Sequence, residues 1–245
     1  MLALLPMFKG KGAGAGGFAM LTQRREHGTR CPGPLQRVAG RIGRGYHGEV
    51  IALRDFSWER MIAAVEDVRE RACRATAALK QAGIAHVVID GNAVAAWVAR
   101  VDKEAVRNTK DVDLLIRRPD LPRVIETLQS VGFVHHHVNG IDVFIDGPDG
   151  SVRSAIHVVF GNEQLRPDDP APTPDVTEAE PGPDFPVPTL DALVRMKLTA
   201  FRLKDKVYLL DLLEVGLLDE TWYTQLSPAL AARLQEIIAS REREA

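Results

Sequence analysis

Two stretches decide the reading of this chain: His86-Val87-Val88-Ile89-Asp90-Gly91-Asn92-Ala93-Val94-Ala95-Ala96-Trp97-Val98-Ala99 and, a short interval later, Asp111-Val112-Asp113-Leu114-Leu115-Ile116. The first opens as a short apolar run, stops at Asp-Gly-Asn, and continues with the composition of a buried helix, so it predicts a strand, a glycine turn and a helix. Free backbone N–H groups and the helix dipole at such a junction can hold a phosphate, and glycine permits close backbone approach. The second stretch predicts a strand whose period of two points Asp111 and Asp113 to one face. Two carboxylates so close repel unless a cation lies between them. Magnesium suits such a pair, because it binds through one or two carboxylates plus substrate phosphates. Alternating aspartates are commonly just a solvated strand face, and a glycine turn before a helix is common without a ligand. Their conjunction is the informative feature.

Working outward toward the amino terminus, Trp58, Met61, Val65, Val68, Ala72 and Leu79 recur at three- and four-residue steps. Ser57 can cap this helix and Gly83 can end it. Toward the carboxyl terminus, Asp120 and Pro122 open a helix reaching about Ser130. Phe133 to Val138 and Ile141 to Asp146 then flank Asn139-Gly140, a dipeptide suited to a two-residue type I′ hairpin turn. Ser154 to Phe160 reads as a further strand. The expected class is α/β (α+β): a mixed sheet flanked by helices, followed by a carboxyl-terminal helical region.

Residues 167–188 hold eight of the fifteen prolines and six acids, a composition expected to lack regular helix or strand. Beyond it, Thr189 caps a helix over Leu190 to about Leu203, with more helix over 206–215 and 228–240. The expected organisation is a disordered leader over 1–44, a core over 45–165, a Pro-rich acidic linker over 166–188 and a helical region over 189–245. The leader is Gly-rich and aperiodic, with eight Lys or Arg and one acid. Its net +7 leaves about −9 for the remainder, given −2 overall. An acidic body disfavours a broad phosphate-contacting nucleic-acid surface. Cys31 and Cys73 lie in no zinc or redox spacing. No apolar run reaches the roughly 18 residues a membrane span needs, and a cytoplasmic protein without a membrane partner is expected.

Gly91-Asn92-Ala93-Val94, followed by Arg107-Asn108-Thr109-Lys110-Asp111-Val112-Asp113-Leu114, resembles the minimal nucleotidyltransferases related to the AbiEii/AbiGii toxin group, in which a glycine motif precedes R-x-T-x-D-x-D and a hydrophobic residue. Leu193-Val194-Arg195-Met196-Lys197-Leu198 and Phe201-Arg202-Leu203-Lys204-Asp205 through Asp211-Leu212 are similar to the helical motif that follows the catalytic sheet in that group. The resemblance spans roughly residues 84–217. It implies a nucleotidyltransferase-like core with Gly91, Asn92 and Thr109 at the nucleoside triphosphate, and Asp111 and Asp113 on magnesium or manganese. A hydroxyl of RNA, protein or a small molecule would be the acceptor. It also raises an antitoxin-like partner.

The family pattern expects a third carboxylate on a later strand, where this chain has His157. An imidazole there could take the acceptor's proton, or Asp142 or Asp146 on the preceding strand could supply the charge; the plain alternative is a satisfied core histidine. Ile156 and Val158 suit the buried face, which puts His157 on the face of Asp111 and Asp113. Lys197, Phe201, Lys204, Tyr208 and Asp211 share a face if one helix runs through them. Lys197 is then the leading phosphate contact and Asp211 a weaker one. His135 and His137 would project from one strand face, which invites a zinc site with His157 as third ligand. A rival to the enzyme reading is a catalytically impaired nucleotide-binding or interaction protein that retains the fold.

Overall fold

The structure is a computed structural model, and it describes residues 57–244. The leader expected over 1–44 and Cys31 lie outside the described residues. Helices α1 (Trp58–Gln81), α2 (Asp90–Val98), α3 (Leu121–Ser130), α4 (Leu190–Ala200), α5 (Leu203–Glu214) and α6 (Pro228–Glu244) accompany strands β1 (His86–Ile89), β2 (Val112–Ile116), β3 (Phe133–Val138), β4 (Ile141–Asp146) and β5 (Ile156–Phe160). Those five strands form one sheet in the order β1-β2-β5-β4-β3. Only β2 and β5 run parallel; the other neighbours are antiparallel, so the sheet is mixed.

Local chemistry accounts for most boundaries. Ser57 accepts a hydrogen bond from the Arg60 amide and starts α1, while Gly83, at φ 65°, follows its end. Asn139 (φ 52°) and Gly140 (φ 80°) give the β3–β4 turn the two left-handed residues that a type I′ hairpin requires. The alternation of β5 buries Ile156 and Val158 against α1 and α3, together with Val112, Leu114, Phe144, Leu79 and Leu128. On the opposite sheet face, Val87, Ile89 and Leu115 pack with Val176, and Met196 of α4 lies against them. A second core joins Ala93, Val94 and Val98 of α2 to Leu193, Leu198, Leu209, Leu212, Leu230 and Leu234 of the last three helices.

Four sequence expectations are corrected. The apolar stripe of α1 is buried only from Val68 onward, and Trp58, Met61 and Val65 are exposed; at 24 residues the helix is about 36 Å long and outruns strands of about 15–20 Å. There is no glycine turn before α2. The helix starts directly at Asp90, and it is Asp90, not Gly91, that takes the left-handed φ of 58°. The Pro-rich segment is not wholly irregular: β6 (Ala179–Pro181) and β7 (Pro186–Pro188) form a small ribbon. Its strands are short enough for proline's missing N–H to be tolerated there. Finally, the helix after Thr189 ends at Ala200, three residues early, because Phe201 adopts φ 49° and turns the chain into α5. Among the described residues no helix is long and apolar enough to cross a membrane.

Candidate active site

Asp111 sits just before β2, and its position is set by two short contacts. Thr109 Oγ1 donates to Asp111 Oδ1 at 3.0 Å, and Asn92 Nδ2 donates to the Asp111 carbonyl at 2.9 Å. Asn92 therefore ties α2 to the entrance of β2. Gly91 is needed for a related reason: a Cβ there would lie 2.6 Å from Tyr208 Oη and 3.0 Å from Thr109 Oγ1. The first is shorter than Cβ contacts come and the second is at their tight edge, so glycine lets α5 and the 107–111 loop close over the start of α2. Burial raises the Tyr208 phenol above its ordinary range.

Asp113 lies on the same side of the sheet as His157, its direct register partner across the parallel β2–β5 pair, with Nδ1 of the ring 3.8 Å from Asp113 Oδ1. Burial, then repulsion from Asp111, pushes the Asp113 carboxyl up to about 6, against the pull of Lys204 and Arg202. The two cations come from the α4–α5 elbow, so the carboxylate pair of the sheet and the basic groups of the helical region face one another. The orientation expected for His157 is the one found.

Behind this front lies an ion network that the sequence did not disclose. Asp90 accepts hydrogen bonds from Lys197 and from Lys204 (2.7 Å), with Arg202 Nη2 3.9 Å away. Lys197 also donates to Asp205 at 3.0 Å, and Arg202 Nε donates to Asp205 at 2.7 Å. Burial brings Lys197 down to about 8 although Asp205 opposes that shift. Burial also works against the charge of Asp205, but the Arg202 hydrogen bond and Lys197 outweigh it and hold its carboxyl below the ordinary range. The Lys197 amine is thus 2% exposed and saturated by two carboxylates. The structure places Lys204 and Arg202, each about half exposed, on the site side instead.

The remaining sequence candidates are placed elsewhere. Asp211 is buried and accepts both of its contacts from Arg107 Nε, at 2.7 and 2.8 Å, so it anchors the loop that carries Thr109. Asp142 and Asp146 cannot complete the carboxylate pair. His157 pairs with Val143, which puts Asp142, Phe144 and Asp146 on the opposite face of the sheet. There Asp142 takes hydrogen bonds from His135 (2.9 Å) and His137 (3.0 Å), and Asp146 takes them from α1 through Arg74. The zinc grouping fails on the same alternation, since His157 faces away from His135 and His137. No group of three or more His, Cys, Asp or Glu suited to a metal occurs among the described residues.

Asp90 is the site residue that sequence reasoning missed; Arg202 and Asp205 were seen only as members of the helical motif, and Lys204 and Tyr208 as members of a helical face. The available signal was the acid immediately before the glycine together with two basic residues, Arg202 and Lys204, in the Phe201–Asp205 segment. No protein-family model matches the sequence, and no curated protein matches it. Among solved structures the chain is similar to the solution structure of the antibiotic-resistance factor ANT(2'')-Ia, at 12% identity over 74% of this chain and 94% of that one, TM-score 0.45. It is also similar to an antigenic nucleotidyltransferase-like protein from Paracoccidioides brasiliensis, at 15% identity over 74% and 91%, TM-score 0.49. A further likeness is to ANT(2'')-Ia in complex with adenylyl-2''-tobramycin, at 15% identity over 72% and 98%, TM-score 0.38.

Proposed function

We propose that this chain transfers a nucleotidyl group from a nucleoside triphosphate to a hydroxyl-bearing acceptor, with magnesium or manganese held by Asp111 and Asp113. One observation carries the reading: an oxygen-only carboxylate pair, two half-exposed cations from the α4–α5 elbow and the His157 imidazole converge on one side of the sheet. The donor set fits a hard divalent ion, because Asp113 is crowded by Asp111 and burial and is relieved by added positive charge. When bound, the ion neutralises charge that develops on the transferred phosphate.

The chain's own groups divide the remaining work. Lys204 and Arg202 attract and hold the triphosphate as donors from the α4–α5 elbow. In the transfer, the acceptor oxygen bonds to the α-phosphorus as the bridging bond to the β-phosphate breaks and pyrophosphate leaves. The acceptor's proton passes to the His157 ring. The residue motifs support kinship with AbiEii/AbiGii-like minimal nucleotidyltransferases, and with it a cytoplasmic setting and an antitoxin-like partner. The acceptor remains a class: RNA, a protein or a small molecule bearing a hydroxyl group.

Purified protein incubated with each α-labelled triphosphate, magnesium or manganese, and cell extract is expected to label one fraction with one preferred base. Asp111→Asn should abolish labelling and divalent-dependent triphosphate binding. His157→Ala should cut transfer far more than affinity, and His157→Asp should maintain or raise it. Triphosphate bound equally well by wild type and Asp111→Asn, with no labelled product from either, would sink the enzyme reading and leave a binding protein.

A further inference from the structure

Asp90 has two peculiarities that coincide. It is a non-glycine residue at φ 58°, a conformation L-residues rarely adopt, though Asp and Asn tolerate it better than most. It is also 8% exposed, with one carboxylate oxygen taken by Lys197 and the other by Lys204. Lys197 has a second carboxylate in Asp205, and Asp205 in turn is held by Arg202. Lys204 has no other ion-pair partner among the described residues.

The charges sharpen the point. Lys197, Arg202 and Lys204 against Asp90 and Asp205 leave the network at +1. Asp111 and Asp113 bring the site to −1, before a triphosphate of about four negative charges arrives. An anion seeking Lys204 must compete with a carboxylate already hydrogen-bonded to it at 2.7 Å. Charge-assisted bonds of this kind are the strong ones, so the competition is not trivial.

We propose that Asp90 is an internal competitor for phosphate: its carboxylate sits on Lys204 in the place a triphosphate oxygen would take, and it sets the affinity of the site by holding that lysine back. On arrival of the anion, Lys204 exchanges Asp90 for phosphate, while Asp90 keeps its bond to Lys197 and so remains neutralised. The inference rests on the triphosphate reading of the site and adds the means by which its affinity is limited.

The test uses the full chain and inorganic tripolyphosphate with magnesium, followed by calorimetric titration, so that base recognition plays no part. Asp90→Asn preserves the residue type that tolerates a left-handed backbone and leaves an oxygen for Lys197, which also retains Asp205. It should tighten tripolyphosphate binding by about fivefold, the effect of releasing one half-exposed cation from a carboxylate in surroundings close to water. In a Lys204→Met background the same change should give no gain. Binding by Asp90→Asn that is unchanged or weaker than wild type overturns the proposal, as does an equal gain without Lys204. Wild-type protein that takes up no tripolyphosphate at all overturns both this inference and the functional reading, whereas binding in wild type without a gain in Asp90→Asn overturns this inference alone.

Discussion

At the scale of single residues, the site is organised by groups whose charge is not free. Asp113 illustrates this. Its carboxyl stands at about 6 in the folded chain against 3.8 for the ordinary side chain, because burial and Asp111 penalise its charged form. A raised acid contributes stability that is fully present below the unfolded value and lost as pH rises through the folded one. Without divalent ions, Asp113→Asn should therefore be more stable than wild type at pH 8, by up to about 3 kcal/mol, and close to it at about pH 3 and below, under the unfolded value. Thermal unfolding in a chelating buffer at the two pH values measures this. A variant no more stable than wild type at pH 8 would show that Asp113 carries no strain for a cation to relieve. The pair itself was legible because strand periodicity fixes which side chains share a face. Asp90 was not, because nothing in a sequence says that an aspartate will sit left-handed, and its partners lie more than 100 positions away.

At the scale of elements, the two faces of β4 and β5 separate structure from chemistry. The strand pattern of β5 and the Asn-Gly hairpin were readable from local rules, and so was the side of the sheet that His157 occupies. The face of β4 was not fixed by pattern alone, since its register against β5 is a tertiary choice; a one-residue slip would have exchanged Val143 for Asp142 beside His157. In the register adopted, Asp146 serves α1. It pairs with Arg74 and lies 3.7 Å from Arg71 Nε, and Arg71 is 8% exposed with buried nitrogens that have no hydrogen-bond partner. Asp146→Ala removes the only carboxylate paired with this buried guanidinium among the described residues, and should destabilise the fold by about 1–3 kcal/mol. Nucleotidyl transfer by the folded variant should be unchanged, because the side chain is on the far face from Asp113. Unfolding curves beside the labelling assay separate the two effects; lost transfer at full stability would return Asp146 to the site. The break between α4 and α5 was expected after Leu203 and lies instead at Phe201, for a different reason. Phe201 carries no helix-ending signal, and its left-handed turn is held from outside by Lys206 and Arg233 against its ring.

At the scale of the molecule, the site exists only where two cores meet. The sheet core supplies Asp111, Asp113 and His157, and the helical core supplies Arg202, Lys204 and Tyr208. Phe185 packs against both clusters, and Trp97 of α2 donates its indole N–H to the Pro188 carbonyl beside the sheet at 3.0 Å. The elbow itself is fixed by α6, where Arg233 donates to the carbonyls of Leu198 and Thr199, both at 2.7 Å, at the end of α4. Next to it, Leu234 is fully buried among the leucines of α4 and α5. Truncating a buried leucine to alanine costs about 2–5 kcal/mol, including the cavity left behind. If the shared residues couple the cores tightly, Leu234→Ala should lower the midpoint of the entire molecule, about 2–4 °C for each kcal/mol in a domain of this size. Tryptophan fluorescence and far-ultraviolet circular dichroism should then report one coincident transition, with calorimetric and van't Hoff enthalpies in agreement. Two separated transitions, with the sheet surviving loss of the helices, would mean that the halves fold apart. Triphosphate binding would then vanish at the lower transition, because Lys204 and Arg202 leave the aspartates when the elbow is lost.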